Sequence, residues 1–220
     1  NAEAAPQESG WQVTLDGRAI KTAGGRPQLV PHQALVEALA REWADQGEEI
    51  DPTLFALRDL ADYAIDLVAP DPESAVEGLL PYAETDTLCY RADEGDALHQ
   101  RQLEVWEPLL EAAERRWDVR FARVSGIVHR PQPEPSLARM RSVLAAQDPF
   151  TLAALQTLAS LAASLTLALS AIEPGAEAEM LWNAANLEED WQAELWGKDA
   201  EAEARRARRF AVFAAAMRFA

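Results

Sequence analysis

Carboxylates at helical spacing are the first residues in this chain whose types could do chemistry. Asp59, Asp62 and Asp66 recur at steps of three and four, which sets them on one face of a helix. Such a trio could hold a cation or serve acid–base catalysis, but no His or Cys accompanies it, and a solvated helix face is the commoner use of the pattern. Glu188-Glu189-Asp190 is the strongest acid–base candidate, yet it too lacks a histidine, and consecutive residues on a helix point in different directions. Cys89 could be a nucleophile only beside a base in an electropositive setting. His32, His99 and His129 are far apart on different elements, so Cys89 reads as a small buried thiol. A lone cysteine also excludes an internal disulfide and suits a reducing compartment. The chain has no phosphate-binding glycine loop, no dinucleotide glycine motif, no HExxH, no GxSxG and no cysteine pair. These absences predict no catalytic residue, no cofactor and no metal.

The helix predicted over Ala176 to Trp196 carries a second pattern. Its core stripe is Met180, Ala184, Leu187, Trp191 and Leu195, while Trp182, Asn186, Glu189, Ala193 and Trp196 line up on the face away from it. Two indoles flanking a carboxylate suggest a protein-binding surface; the alternative is a helix packed on two sides. On this reading Glu189 points outward and Glu188 turns toward the core stripe.

The elements that must position these residues are mostly helical. From Pro149 to Ile172 no side chain is charged, a run long enough to suggest a membrane span. Its Ala, Ser and Thr content, its acidic flanks at Asp148 and Glu173 and its lack of interfacial anchors predict instead a single helix buried among others. Asp148 is its N-cap with Pro149 at N1, and Glu173-Pro174-Gly175 ends it. At the other end of the chain, Trp11 to Thr22 alternates apolar and polar residues around Asp16-Gly17, predicting a hairpin, with a third strand at Gln28-Leu29-Val30 and a loose opening over residues 1–10. Leu35, Leu39 and Trp43 then mark a helix with Trp43 as a core anchor, and Leu57, Leu60, Ala64, Ile65 and Val68 mark the next. Tyr82, Thr85, Asp86, Cys89 and Tyr90 predict a structural polar network within one short helical span. Pro108 predicts a kink in a long helix, Ser136 caps a short one, and Asp199 opens the last. The fold class expected is α+β, mainly α: a small β-meander and helix domain over 1–70 and an orthogonal helical bundle over 71–220.

At 220 residues, 49% hydrophobic, with a net charge of −17, the chain can build a large core and lacks the basic footprint that nucleic-acid binding needs. The strings VTLDGRAIKT, LVPHQALVEALAREWADQ, IDPTLF, LADYAID, YAETDTLCYR, LEVWEPLL and LEEDWQAELWG resemble, in order and spacing, the assembly chaperone family that holds the alpha subunit of the F-type ATP synthase. The resemblance implies a non-enzymatic monomer that binds the free alpha subunit until it joins beta subunits. It also implies a cytoplasmic member if bacterial, or a mitochondrial matrix member if eukaryotic, with no membrane insertion. The family's acidic position, tied to chaperone action, falls on Glu188 or Glu189, and its Glu-Trp helix falls on Glu42-Trp43. Departures occur at Ala23 and Ala56, where the family has proline, and the strand that precedes the family's hairpin is not recognisable in residues 1–10. An acidic adaptor of another complex and a carboxylate-dependent hydrolase are the rival readings.

Overall fold

Asp16 and Gly17 take φ angles of 49° and 78°, the left-handed pair that a tight hairpin turn needs, and join β2 (Gly10–Leu15) to β3 (Arg18–Ala19). The computed structural model describes residues 2–126, 130–197 and 199–220. β4 (Leu29–Val30) continues the same edge of β2, as the hairpin reading expects for a third strand. The opening is not loose: β1 (Ala2–Gln7) covers the opposite edge of β2, antiparallel, from Ala2 beside Leu15 to Gln7 beside Gly10. Its alanines, glutamate and Pro6 carry little strand signal, but an edge strand tolerates proline and takes its order from its neighbour. A Cβ on Gly10 would lie 2.6 Å from the Val30 carbonyl oxygen, so this crossing of β2 and β4 admits only glycine.

The sheet packs against α1 (Gln33–Ala44), which buries Leu35, Val36, Leu39 and Ala40. Trp43 is half-buried rather than enclosed, and its ring tilts against the buried Phe55 ring at 4.5 Å between centroids. Beside it, Glu42 accepts the Leu57 and Arg58 N–H groups, both at 2.8 Å, and so caps α2 (Ala56–Tyr63) from another helix. α2 runs on as a π turn over Ala64–Val68. Here the solvated-face expectation for Asp62 and Asp66 is corrected. Asp62 is buried and accepts the Ala23 N–H at 3.0 Å and Gln28 Nε2 at 2.6 Å, while Asp66 accepts the Thr22 hydroxyl and the Gly24 N–H, both at 2.8 Å. Two of the three acids therefore pin the turn between β3 and β4. Asp59 alone pairs locally, with Arg58.

The remaining chain is a bundle wrapped around α7 (Pro149–Ala162), which packs on α11 (Ala200–Phe219), α3 (Pro72–Leu79) and the π turn. Asp148 caps α7 as the sequence predicts, accepting the Phe150 N–H at 2.8 Å and the Thr151 N–H at 3.2 Å. The uncharged run is not one helix, however. Ala163 takes φ 48°, Ser164 accepts the Leu167 N–H at 3.0 Å, and α8 (Leu165–Ala171) starts in a new direction. Among the described residues no helix is long and apolar enough to cross a membrane.

That break is where the predicted polar network sits. The segment around Asp86 is no continuous helix: α4 (Pro81–Glu84) ends before it, a 3₁₀ turn spans Thr87–Cys89, and β5 (Tyr90–Arg91) follows, paired in parallel with β6 (Val124–Ser125). Asp86 is fully buried and accepts the Leu88 N–H at 3.1 Å and the Thr166 N–H at 2.9 Å, and burial raises its pKa. The Thr87 hydroxyl and N–H both donate to the Ala163 carbonyl, at 2.8 and 3.0 Å. Cys89 is buried and burial raises its thiol pKa, which leaves it protonated and unreactive; Tyr90 is half-buried beside it.

α5 (Ala97–Trp117) continues past Pro108 as one helix. Ser136 does not cap α6 (Glu134–Ala145); Pro133 occupies that position, and the Ser136 hydroxyl instead accepts the Arg120 N–H at 2.9 Å, latching the segment after α5 to α6. His32 precedes α1 and His99 lies in α5, while His129 lies outside the described residues.

Candidate functional site

The predicted helix over Ala176 to Trp196 is two helices, α9 (Ala178–Ala185) and α10 (Leu187–Trp196), separated by Asn186. Asn186 is buried, with φ −108° and ψ 20°, and its side-chain Nδ2 donates to the Trp182 carbonyl at 2.7 Å. An asparagine that bonds its own preceding turn competes with regular helix, which is why the chain bends here without a glycine or proline.

The bend resets the helical register, so the predicted line of side chains is divided. Trp182 is only 3% exposed, packed between Phe210 and Phe213 with its ring under Arg209, so it is not a surface residue. Trp196 is 86% exposed and Leu195, assigned to the core stripe from its spacing, is 60% exposed. Met180, also expected inside, is largely out as well. Ala184 and Leu187 are buried as expected, and Trp106 Nε1 donates to the Ala184 carbonyl at 2.8 Å, fastening α9 to α5.

The three acids after the bend separate as helical geometry requires. Glu188 turns inward at its tip, where its carboxylate accepts Gln102 Nε2 at 2.7 Å; this partial burial raises its pKa against the lowering effect of the hydrogen bond. Glu189 is exposed, and Asp190 pairs with Arg206 of α11. Gln102 is fully buried, and its Oε1 accepts the Ala92 N–H at 2.9 Å, so the amide can present only its NH2 to Glu188. A glutamine inside a helix core gives no sequence signal of this role. Glu188 is thus held in place, through one buried amide, by the loop after β5.

Among the described residues no group of three His, Cys, Asp or Glu side chains is placed to share a metal ion. What the surface offers is a fixed carboxylate, a free one at Glu189, and exposed Leu195 and Trp196 at the end of a short helix. These groups suit recognition of another protein.

The sequence profile of the family described as ATP12 chaperone protein matches residues 1–114, more than half of the chain. The chain belongs to the ATP12 chaperone family. The mitochondrial Atp12 protein of Schizosaccharomyces pombe is similar to it at 25% identity over 197 residues, covering 84% of this chain and 68% of that one. The crystal structure of Atp12 from Paracoccus denitrificans superposes with a TM-score of 0.92 at 37% identity, over 99% of this chain and 94% of the other. The Atu1473 protein of Agrobacterium tumefaciens superposes at a TM-score of 0.95 and 37% identity, over 100% of this chain and 82% of that one. As an ATP12-family member, the protein is a chaperone of ATP synthase assembly, and its mixed α+β, mainly α fold is the Atp12 fold.

Proposed function

We propose that this protein binds the free alpha subunit of the F-type ATP synthase and shields the surface that later meets beta subunits, letting go as the catalytic hexamer forms. It does so as a monomer in the bacterial cytoplasm, with no enzymatic turnover. The observation that carries this reading is the likeness to Atp12 along nearly the whole chain, 99% of it at 37% identity, so the helical half outside the matched profile shares the family architecture too. The contact surface proposed is α10, with Glu188 and Glu189 as the acidic groups and Trp196 beside Leu195 as the apolar anchor. A carboxylate whose direction is fixed by Gln102 loses little rotamer freedom on binding, which favours its use at an interface.

Co-expression tests this. Alpha subunit made alone should aggregate, alpha subunit made with the chaperone should stay soluble and co-purify with it, and assembled synthase should not retain it. A protein that remains on the finished synthase would be an adaptor instead.

A further inference from the structure

Two hollows lie along one stripe of α5, the larger of them bordered by Leu187, Asp190, Ala193 and Glu194 of α10. The larger, about 990 Å³, is floored by Arg101 and Val105, and the smaller, about 230 Å³, by Leu109, Ala112, Ala113 and Arg116. Arg101, Val105, Leu109, Ala112 and Arg116 follow steps of three and four, so they share one face of the helix and extend over about 22 Å. α9 forms the facing wall. Met180, 47% exposed, lines both hollows and stands as the crest between them.

The charge along this groove is one-sided. Its guanidinium groups are already engaged: Arg101 with Glu194, Arg116 with Glu173 and Arg206 with Asp190. Glu177 and Glu179, on the wall beside Met180, have no ion pair among the described residues. A floor that is apolar from Val105 to Ala113, with ion-paired arginines at its two ends and unneutralised carboxylates at one rim, recognises an apolar face edged with Lys or Arg. Val105 and Ala113, which floor the two hollows, are eight residues apart on α5, about 12 Å or roughly two helical turns. That spacing matches two anchors two turns apart on an amphipathic helix, and Met180 between them is a flexible thioether that adapts to what lies across it.

Resting on the chaperone reading above, we infer that this groove seats a basic amphipathic helix of the client, with one apolar side chain entering the hollow on each side of Met180 and its basic edge facing Glu177 and Glu179. It adjoins the α10 contact, since Leu187, Asp190, Ala193 and Glu194 of α10 line the larger hollow, and extends it along α5 and α9.

The test has a client arm and a peptide arm. Met180→Lys and the double change Glu177→Lys with Glu179→Lys alter exposed positions, and Leu67→Lys, on the π turn after α2, is the control of similar exposure. All should melt like wild type. In the client arm, soluble alpha subunit is measured on co-expression. In the peptide arm, binding is read by anisotropy with a labelled helical peptide of about four turns, leucines two turns apart and lysines along one edge, and with its glutamate-for-lysine twin. The expected result is that the lysine peptide binds and the glutamate peptide does not, and that both groove variants weaken peptide and client by about tenfold or more while Leu67→Lys does neither. Undiminished client capture by well-folded groove variants would overturn the groove and leave the chaperone reading standing. Peptide binding without any capture of alpha subunit by wild type would do the reverse, since the groove would be right and the client wrong. Self-association lost in Met180→Lys would show that a second copy fills the groove, and would also overturn the proposal.

Discussion

Two helices that periodicity draws as continuous are interrupted, and the two interruptions differ in what they do with polar groups. At Ala163-Ser164 the break runs from an exposed Ala163 into a fully buried Ser164. Its freed backbone groups are met by neighbouring side chains, the Thr166 N–H by Asp86, the Ala163 carbonyl by Thr87 and the Leu167 N–H by the Ser164 hydroxyl. At Asn186 the bend is itself buried and is held by one side-chain bond to the Trp182 carbonyl, and it is the far end of the following helix that runs into solvent. The first break closes the core around the most apolar part of the chain; the second takes a helix that would have been buried on its apolar side and leaves Leu195 and Trp196 in solvent.

The comparison breaks most sharply at Asp86. Asp86→Ala removes the acceptor for two buried N–H groups, and each buried unsatisfied donor costs about 1–3 kcal/mol, so the loss should be about 3 kcal/mol and visible as a large fall in Tm. A variant that melts within a degree of wild type would mean the first break needs no such support.

A smaller effect is expected at the start of the same buried helix. Asp148→Ala removes an N-cap and should cost about 1 kcal/mol in urea unfolding at neutral pH. Although partial burial pushes the Asp148 pKa up, hydrogen bonds from the Thr151 hydroxyl and from backbone N–H groups hold it below the ordinary 3.8. A depressed carboxylate contributes stability above its unfolded pKa and loses it as the pH falls through the folded value. The gap between wild type and Asp148→Ala should therefore be full at pH 5 and above and narrow below about pH 3.8, and a gap that stays constant into acid would show that the cap acts through something other than its charge.

Asn186→Ala tests the second break. The stability loss should be only about 0.5–1 kcal/mol, because the Trp182 carbonyl keeps the backbone bond from residue 186. The change in surface should be larger than the change in stability: alanine favours a continuous helix, which would carry Trp196 toward the face that Trp182 occupies. Reduced quenching of Trp196 by iodide with little change in Tm is the expected signature.

These contrasts also mark how far the sequence could be read. Asp16-Gly17 and Asp148-Pro149 were legible because turn and cap chemistry is local, and the motif order pointed to the family. The first break was not, because its left-handed residue is Ala163, where no glycine announces it and where Asp86, 80 residues from Thr166, supplies the partner. β1 was missed because its order comes from pairing with β2 and not from its own residues. Helical counting through Asn186, as if the register persisted, leaves open whether Trp182 faces a partner or packs on a second side of the bundle; its burial decides for packing. The spacing of Asp62 and Asp66 predicts a wet face because their partners, in the turn before β4, lie about 40 residues earlier, at separations of 39 and 42. Helical counting separates the directions of Glu188 and Glu189, but the bond from Gln102 that fixes Glu188 appears only in three dimensions.

The central claim is that α10, turned out by Asn186, meets the client through its acids. Its most direct test is soluble alpha-subunit retention on co-expression with Glu189→Lys and Glu188→Lys, read beside thermal melts of both. Glu189→Lys should lose most of the client while its stability changes by less than ~0.5 kcal/mol, since Glu189 is exposed. Glu188→Lys should lose client and also melt lower, because it sets a cation against the Gln102 amide NH2. Full retention of alpha subunit by a well-folded Glu189→Lys protein would contradict the claim.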